Sequence, residues 1–255
     1  MAGHSKWSNI KHRKGRQDKK RAKKFARLSK EITVAVREGG GDDPEFNARL
    51  RQAIQNAKAE DMPKDNIQRA IENGLPGSET GKHYDEIRYE GYGPGGTAFI
   101  IDAMTDNRNR TASEVRAAFT KHGGNLGEDG SVSYLFDRIG QIVYEADEID
   151  DQDDLFMTAV DAGADNVIFG EDQHEVITQA EDFGRVWETL EDQFGEAEKA
   201  ELAWRAKTPL GIKGEELEKV ANLYGALDDL DDVQKVSLNI TRTLDELEAI
   251  LDSED

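Results

Sequence analysis

The side chains best suited to chemistry crowd the start of the chain, and the chemistry is phosphate binding. Lys6, Lys11, Arg13, Lys14, Arg16, Lys19, Lys20, Arg21, Lys23 and Lys24 follow one another closely, with His4 and His12 among them. Lys and Arg make charge-assisted hydrogen bonds to phosphate oxygens and release condensed counterions as they do so. Trp7, set among these cations, offers a flat face on which an unpaired base can stack. The first thirty residues carry 12 Lys or Arg and one acid, Asp18, a net +11 in a chain of net -20, which leaves -31 on residues 31–255. A polyanion is repelled by most of such a molecule and drawn to one end. A solvated charge run, or an arm folded back on the acidic surface, is the plainer account. Nucleic acid is preferred because charge this dense repels itself unless a counter-surface meets it.

A second cluster is Thr105-Asp106-Asn107-Arg108-Asn109-Arg110-Thr111, read at the junction of a strand and a helix. Free backbone N–H groups and the helix dipole favour an anion there, and Arg108 and Arg110 flank it. The alternative, of equal weight, is a capped helix whose arginines pair with acids of the neighbouring domain.

Other chemistries find little support. There are no cysteines, so disulfides, thiolate metal sites and a Cys nucleophile are excluded. The histidines at 4, 12, 83, 122 and 174 are scattered, and no metal or other cofactor is expected. Gly91–Gly96 lacks the Lys-Ser/Thr of a phosphate-binding loop and reads as a hairpin turn. Acidic runs such as 147–154 and 228–232 read as solvated loops, and no serine sits in a Gly-x-Ser-x-Gly setting. Apolar runs such as Ala98–Ile101 are too short to span a bilayer. The arm is acid-poor, as transit peptides are, yet it is rich in Lys rather than Ser and runs into a helix with a core face. A cytoplasmic protein that keeps its arm is the expectation.

These residues need elements to hold them. Residues 1–15 show no apolar periodicity and read as a flexible arm. From about Arg16, Phe25, Leu28, Ile32 and Ala35 share one helical face, which ends at Gly39-Gly40-Gly41. Asp43-Pro44 reads as the start of a second helix, with Phe46, Leu50, Ala53, Ile54 and Ala57 on its stripe. Met62-Pro63 opens a third helix, closed by Gly74. After a loop at 75–83 the texture turns to alternation: strands 84–92 and 97–104, a helix 111–122 opened by a Thr111/Glu114 capping pair, and a strand 132–136. Then come strand 141–145, helix 153–162, strands 166–169 and 175–179, helix 182–193 and strand 201–206, a ferredoxin-like order. Helix 215–227 and strand 233–239 complete the earlier unit. The expected fold is α+β: a three-helix bundle followed by two ferredoxin-like α/β domains, one inserted in the other. The expected boundaries are a basic helical domain at 1–79, a host domain at 80–136 plus 208–240, an insert at 137–207 and a short acidic helix or tail at 241–255.

Five ordered motifs carry a resemblance. They are Met1-Ala-Gly-His-Ser-Lys-Trp-Ser-Asn-Ile-Lys-His12, Asp61-Met-Pro-Lys-Asp-Asn-Ile67, Glu90-Gly-Tyr-Gly-Pro-Gly-Gly96, Thr105–Thr111 and Lys121-His-Gly-Gly-Asn-Leu-Gly127. With these the chain resembles the YebC/PmpR family of bacterial regulators, which has a mitochondrial branch. The resemblance implies three domains, one inserted in another, and a non-enzymatic regulator of gene expression. Many members are described as DNA-binding transcriptional regulators, the usual description of the family. Others act in translation, relieving ribosome stalling at proline-rich stretches. The tail, 241–255, runs past the usual family end.

Two partners therefore stand open, DNA and ribosomal RNA, with the ribosome itself implied in the second case. The residues assigned to nucleic acid are Lys6, Trp7, Lys11, His12, Arg13, Lys14, Arg16, Lys19, Lys20, Lys23, Lys24, Arg108 and Arg110. No helix-turn-helix signature stands out, and an acidic body disfavours wrapping a duplex, so physical argument leans towards RNA. An enzyme using an unrecognised carboxylate site is the remaining alternative.

Overall fold

The computed structural model describes residues 3–78 and 82–253, and the side chains of 18–78 and 82–251. It divides into two units, Met1–Lys82 and His83–Asp255.

In the first unit, α1 spans Gly3–Glu38, α2 Ala48–Ala59 and α3 Lys64–Gly74. Residues 3–15, expected as a flexible arm, are the opening turns of α1, which starts well before Arg16. The segment contains no proline, and Lys and Arg are good helix formers. A helix therefore continues without an apolar face to mark it. The bundle core is Ile32, Ala35 and Val36 of α1, Leu50, Ala53 and Ala57 of α2, and Met62, Ile67 and Ala70 around α3. Gly74 permits the closest approach, since a Cβ there would fall 2.6 Å from that of Val36. Thr33 Oγ1 donates to the Ala70 carbonyl at 3.0 Å, tying α1 to α3.

The α2 cap is Asn47 rather than Asp43. Its Oδ1 accepts from Leu50 N–H at 3.0 Å, while its Nδ2 donates to the carbonyls of Ala35 and Gly41, both at 2.8 Å. A carboxylate has no N–H to donate, so an Asp in this cap could not make the two bonds to those carbonyls. The later start takes Phe46 out of the helix and leaves it 84% exposed instead of on the core stripe.

The second unit holds two four-stranded antiparallel sheets. The first uses β1 (Asp85–Tyr92), β2 (Ala98–Thr105), β3 (Asn125–Leu126) and β8 (Val233–Leu238), in the order β3-β1-β2-β8. The second uses β4 (Phe136–Glu145), β5 (Asn166–Phe169), β6 (Gln173–Gln179) and β7 (Lys199–Ala206), in the order β5-β6-β4-β7. Read within its own segment, the second order is the ferredoxin-like 4-1-3-2. Its strands lie between β3 and β8 in the chain. The mixed α+β architecture is thus helices followed by two such sheets. In the first sheet the β1–β2 turn makes those strands direct neighbours, so its order differs from that of the second.

Two strands depart from the sequence reading. Residues 132–136 do not form a strand of the first sheet. Ser133–Leu135 is a 3-10 turn, and β4 runs unbroken from Phe136. The edge place is taken by β3, whose two residues pair with Gly91 and Tyr92. A two-residue strand shows no alternation to read.

β2 is mostly apolar, Asp102 and Thr105 apart, because both its faces are covered. Phe99 and Ile101 face a core shared with α4 (Arg108–Lys121), α7 (Glu215–Asp228) and α8 (Leu244–Ser253). Ala98 and Ile100 pack on Val132, Phe136 and Trp204, which join the two sheets. Trp204 is held there by the guanidiniums of Arg88 and Arg138, 4.3 and 4.9 Å from its ring, and donates to Asp102 Oδ2 at 3.2 Å. In the second sheet, α5 (Gln152–Ala162) and α6 (Phe183–Phe194) cover one face, with Leu155, Trp187 and Leu190 fully buried.

The segment read as a short acidic helix or tail is not merely solvated: α8 buries Leu247 completely and packs Ile250 and Leu251 on the same core. Its apolar residues recur at helical spacing, which the surrounding acids obscure.

Candidate nucleic-acid interface

The first candidate is the outer face of α1. With 3.6 residues per turn, Lys19, Lys20, Lys23, Arg27 and Lys30 fall on one side of the helix, opposite Phe25, Ile32 and Val36 of the core. Lys19, Lys20 and Lys24 are exposed and Lys23 is half-buried. Lys24 forms an ion pair with Glu60, and Arg21 lies over the Phe25 ring at 5.2 Å. Lys6, Trp7, Lys11, His12, Arg13, Lys14 and Arg16 belong to α1 by their backbone, and their side chains lie outside the described ones. Arg27 and Lys30 extend the stripe beyond the residues chosen from sequence; counting seven and ten along from Lys20 would have found them.

The stripe belongs to a unit of its own sign. Residues 1–82 hold 19 Lys or Arg against 11 Asp or Glu, a net +8, and residues 83–255 carry -28. The charge division therefore follows the structural one.

The second candidate, residues 105–111, is a tightly bonded helix start. Asn107, not Thr111, caps α4: its Oδ1 accepts from Arg110 N–H at 3.1 Å. Thr111 instead lies inside the first turn, fully buried, with its hydroxyl 2.7 Å from Thr105 Oγ1 and 2.8 Å from Asp232 Oδ2. Thr105 Oγ1 is 3.0 Å from the same carboxylate oxygen. Arg110 completes the cluster, reaching Asp232 at 2.6 Å and Asp106 at 2.9 Å. Those bonds, Asp232 first, hold the guanidinium pKa above its already high value. Arg108 pairs with Asp85 at 2.8 Å and is 64% exposed in its side chain. The acids that hold these arginines belong to the same unit.

The first sheet separates the motifs. β1 and β2 pair Asp85 with Thr105 at one end and Tyr92 with Ala98 at the other, seven residues apart along the strand. At a rise of about 3.3 Å per residue, that is roughly 23 Å. Residues 105–111 stand at the first end; 91–96 and 124–127 meet at the second, where Gly127 N–H bonds the Glu90 carbonyl at 2.8 Å.

Glu90, overlooked in sequence, organises that second end. It is 2% exposed, and its Oε2 accepts from the N–H groups of Val132 and Ser133, each at 2.8 Å. Burial pushes its pKa up, but backbone N–H bonds from Val132, Ser133 and Gly130 outweigh this and hold the carboxyl below its ordinary range. A buried acid facing backbone leaves no sequence pattern.

Comparison with known proteins decides the family. Residues 84–240 match the model described as TACO1/YebC second and third domain, and residues 5–76 match the TACO1/YebC protein N-terminal domain. The chain belongs to the TACO1/YebC family. The model for its second and third domains bears the name of a transcription regulator. The crystal structure of a conserved hypothetical protein from Aquifex aeolicus is similar at 48% identity, with a TM-score of 0.75 over 86% of this chain and 90% of that one. Among the described residues of this TACO1/YebC protein, no helix is long and apolar enough to cross a membrane, and no His, Asp and Glu cluster could hold a metal ion.

Proposed function

We propose that this TACO1/YebC protein is a non-enzymatic regulator of gene expression that binds structured RNA of the ribosome through its first unit and acts in translation. The observation that carries the reading is the cationic stripe of α1 on a unit of net +8, joined to a body of net -28. Lys6, Trp7, Lys11, His12, Arg13, Lys14 and Arg16 are further candidate contacts by residue type, beside Lys19, Lys20, Lys23 and Lys24 on the described part of α1. A stripe along one helix follows a phosphate backbone, and the acidity of the body confines its own phosphate contacts to places where a local cation stands. A cytoplasmic location suits such a ligand. Arg108, and Arg110 to the extent that its ion pairs allow, are secondary contacts.

Binding to an operator duplex as a transcription regulator is the second reading, favoured by the name of the matching family model. The helical unit argues against it. α3, the last helix of the bundle, exposes Lys64 and Arg69 beside Asp65 and Glu72, so its outer face is close to neutral. A groove-reading helix needs donors for base edges and cations for the flanking phosphates.

Sedimentation of cell lysate, run beside matched binding to operator duplex, random duplex and structured RNA, tests the choice. Co-migration with ribosomes and an operator preference below about tenfold support RNA. Operator preference in the thousandfold range, with no ribosome association, overturns it.

A further inference from the structure

On the RNA reading just given, we propose that Tyr92 and Tyr134 form a stacking site for one unpaired nucleobase, separate from the phosphate-binding stripe of α1. Tyr134 is 62% exposed and Tyr92 36%, so two phenol rings stand together at the surface. Their hydroxyls are 3.1 Å apart, and Tyr92 Oη is 3.0 Å from the Ser131 carbonyl. A carbonyl only accepts, so the Tyr92 proton goes to Ser131 and Tyr134 donates to Tyr92. Both protons are therefore used within the protein, so the pair offers a ligand its ring faces and the acceptor lone pairs of its oxygens, but no donor.

The pair is held in place before any ligand arrives. Tyr134 sits in the 3-10 turn that Glu90 anchors through Val132 and Ser133. Tyr92 ends β1, fixed by pairing with Ala98 and Asn125. A rigid aromatic loses little entropy on binding, which is why such residues dominate contact energies.

The surroundings suit a flat ligand. Gly124 lies so close to the Tyr92 carbonyl that a Cβ would come within 2.7 Å of it, and Gly130, at φ +83°, has open space where a side chain would stand. Glu128 and Asp129 are charged neighbours in the intervening loop and Asp137 lies beyond it, so a phosphate is repelled from that side. Lys207 is the nearby cation: its Nζ donates to the Tyr134 carbonyl at 3.1 Å and lies 3.4 Å from Asp137. The base is thus expected over the rings with its sugar–phosphate turned towards Lys207. Every base has a π-face, so the site tolerates any sequence and requires only that the base be unpaired.

The test uses the full chain, a twelve-nucleotide single-stranded RNA with one 2-aminopurine, and a duplex of the same length. Wild type should quench the 2-aminopurine. Tyr134→Ala should abolish the quenching and weaken single-strand binding by roughly five- to a hundredfold, corresponding to about 1–3 kcal/mol for one stacked base. Tyr134→Phe keeps the ring and should keep the quenching. Duplex affinity and salt dependence should not change in either variant, and an unchanged circular dichroism melt establishes that this exposed site leaves the fold intact. Equal single-strand affinity and quenching for Tyr134→Ala and wild type overturns the site, as does a wild type that ignores the single strand. If the α1 charge-reversed variant has then lost RNA, the broader reading survives without the stacking site; if it too binds normally, both fail.

Discussion

Nη2 of Arg110 lies 2.6 Å from Oδ2 of Asp232, a carboxylate 122 positions later in the chain and only 4% exposed. Around that oxygen gather the hydroxyls of Thr105 and Thr111 as well. The arginine that sequence alone offers to a phosphate is thus already closing a buried polar cluster between the start of α4 and the start of β8.

Asp232→Ala should be the most damaging change at this end of the sheet. It removes the acceptor that the Thr105 and Thr111 hydroxyls share, while Thr111 keeps the Asn107 carbonyl and Arg110 keeps Asp106, at an expected cost of about 1–3 kcal/mol. Urea unfolding measures it. Arg110→Ala should lower the melting temperature as well, since it strips the charge partner from Asp232. Arg108→Ala should leave the melt unchanged, because its pair with Asp85 is solvent-exposed. A melt that falls equally for both arginine variants contradicts this division.

Charge reversal of Lys19, Lys20, Lys23 and Lys24 to Glu should abolish RNA binding while the second unit keeps its melt. If about six phosphates are contacted in all, log K should fall with log salt at a slope near -4 on single strands and -5 on duplex. Arg27→Ala and Lys30→Ala should each make the single-strand slope shallower by roughly 0.7. A variant set with wild-type affinity and slope removes α1 from the interface.

The Glu90 carboxyl gives the loop at 130–133 an acid-sensitive anchor. Its folded pKa lies below the ordinary carboxylate value of about 4.3, so its contribution is complete above that pH and is lost as pH falls through the folded pKa. Glu90→Gln should melt lower than wild type at pH 7, and the gap should narrow below about pH 4. A gap that stays constant from pH 7 to pH 3 shows that the ionised form is not what holds the loop.

Leu247→Ala should cost about 2–5 kcal/mol, the usual range for a leucine truncated in a packed core. Leu247 has no exposure, and Leu251 of the same helix approaches Gly225 of α7. A solvated tail predicts no change, so a thermal melt separates the two.

Much of this molecule could be read from the residues in order. The charge split between the N-terminal region and the rest is a sum over side chains and needs no fold. Strand β5 at 166–169 was legible as a short run of β-branched and aromatic residues, and helix α7 from Glu215 because its apolar residues recur at helical spacing, and local pattern is what sequence reading detects. The family was legible too, since its motifs are contiguous.

Tertiary structure decided what depends on residues far apart in the chain. Asn47 caps α2 because α1 brings the Ala35 carbonyl to it, and Phe46 is left outside as a consequence. Two residues suffice for β3 because β1 supplies the partner. Arg110 is tied to Asp232, and Glu90 to Val132 and Ser133, only once the sheet has folded. Composition and periodicity are properties of neighbours along the chain, whereas hydrogen bonds and ion pairs are made between groups that folding brings together. That is why the cationic end could be recognised from sequence, while the duties of Arg110 and Glu90 could not.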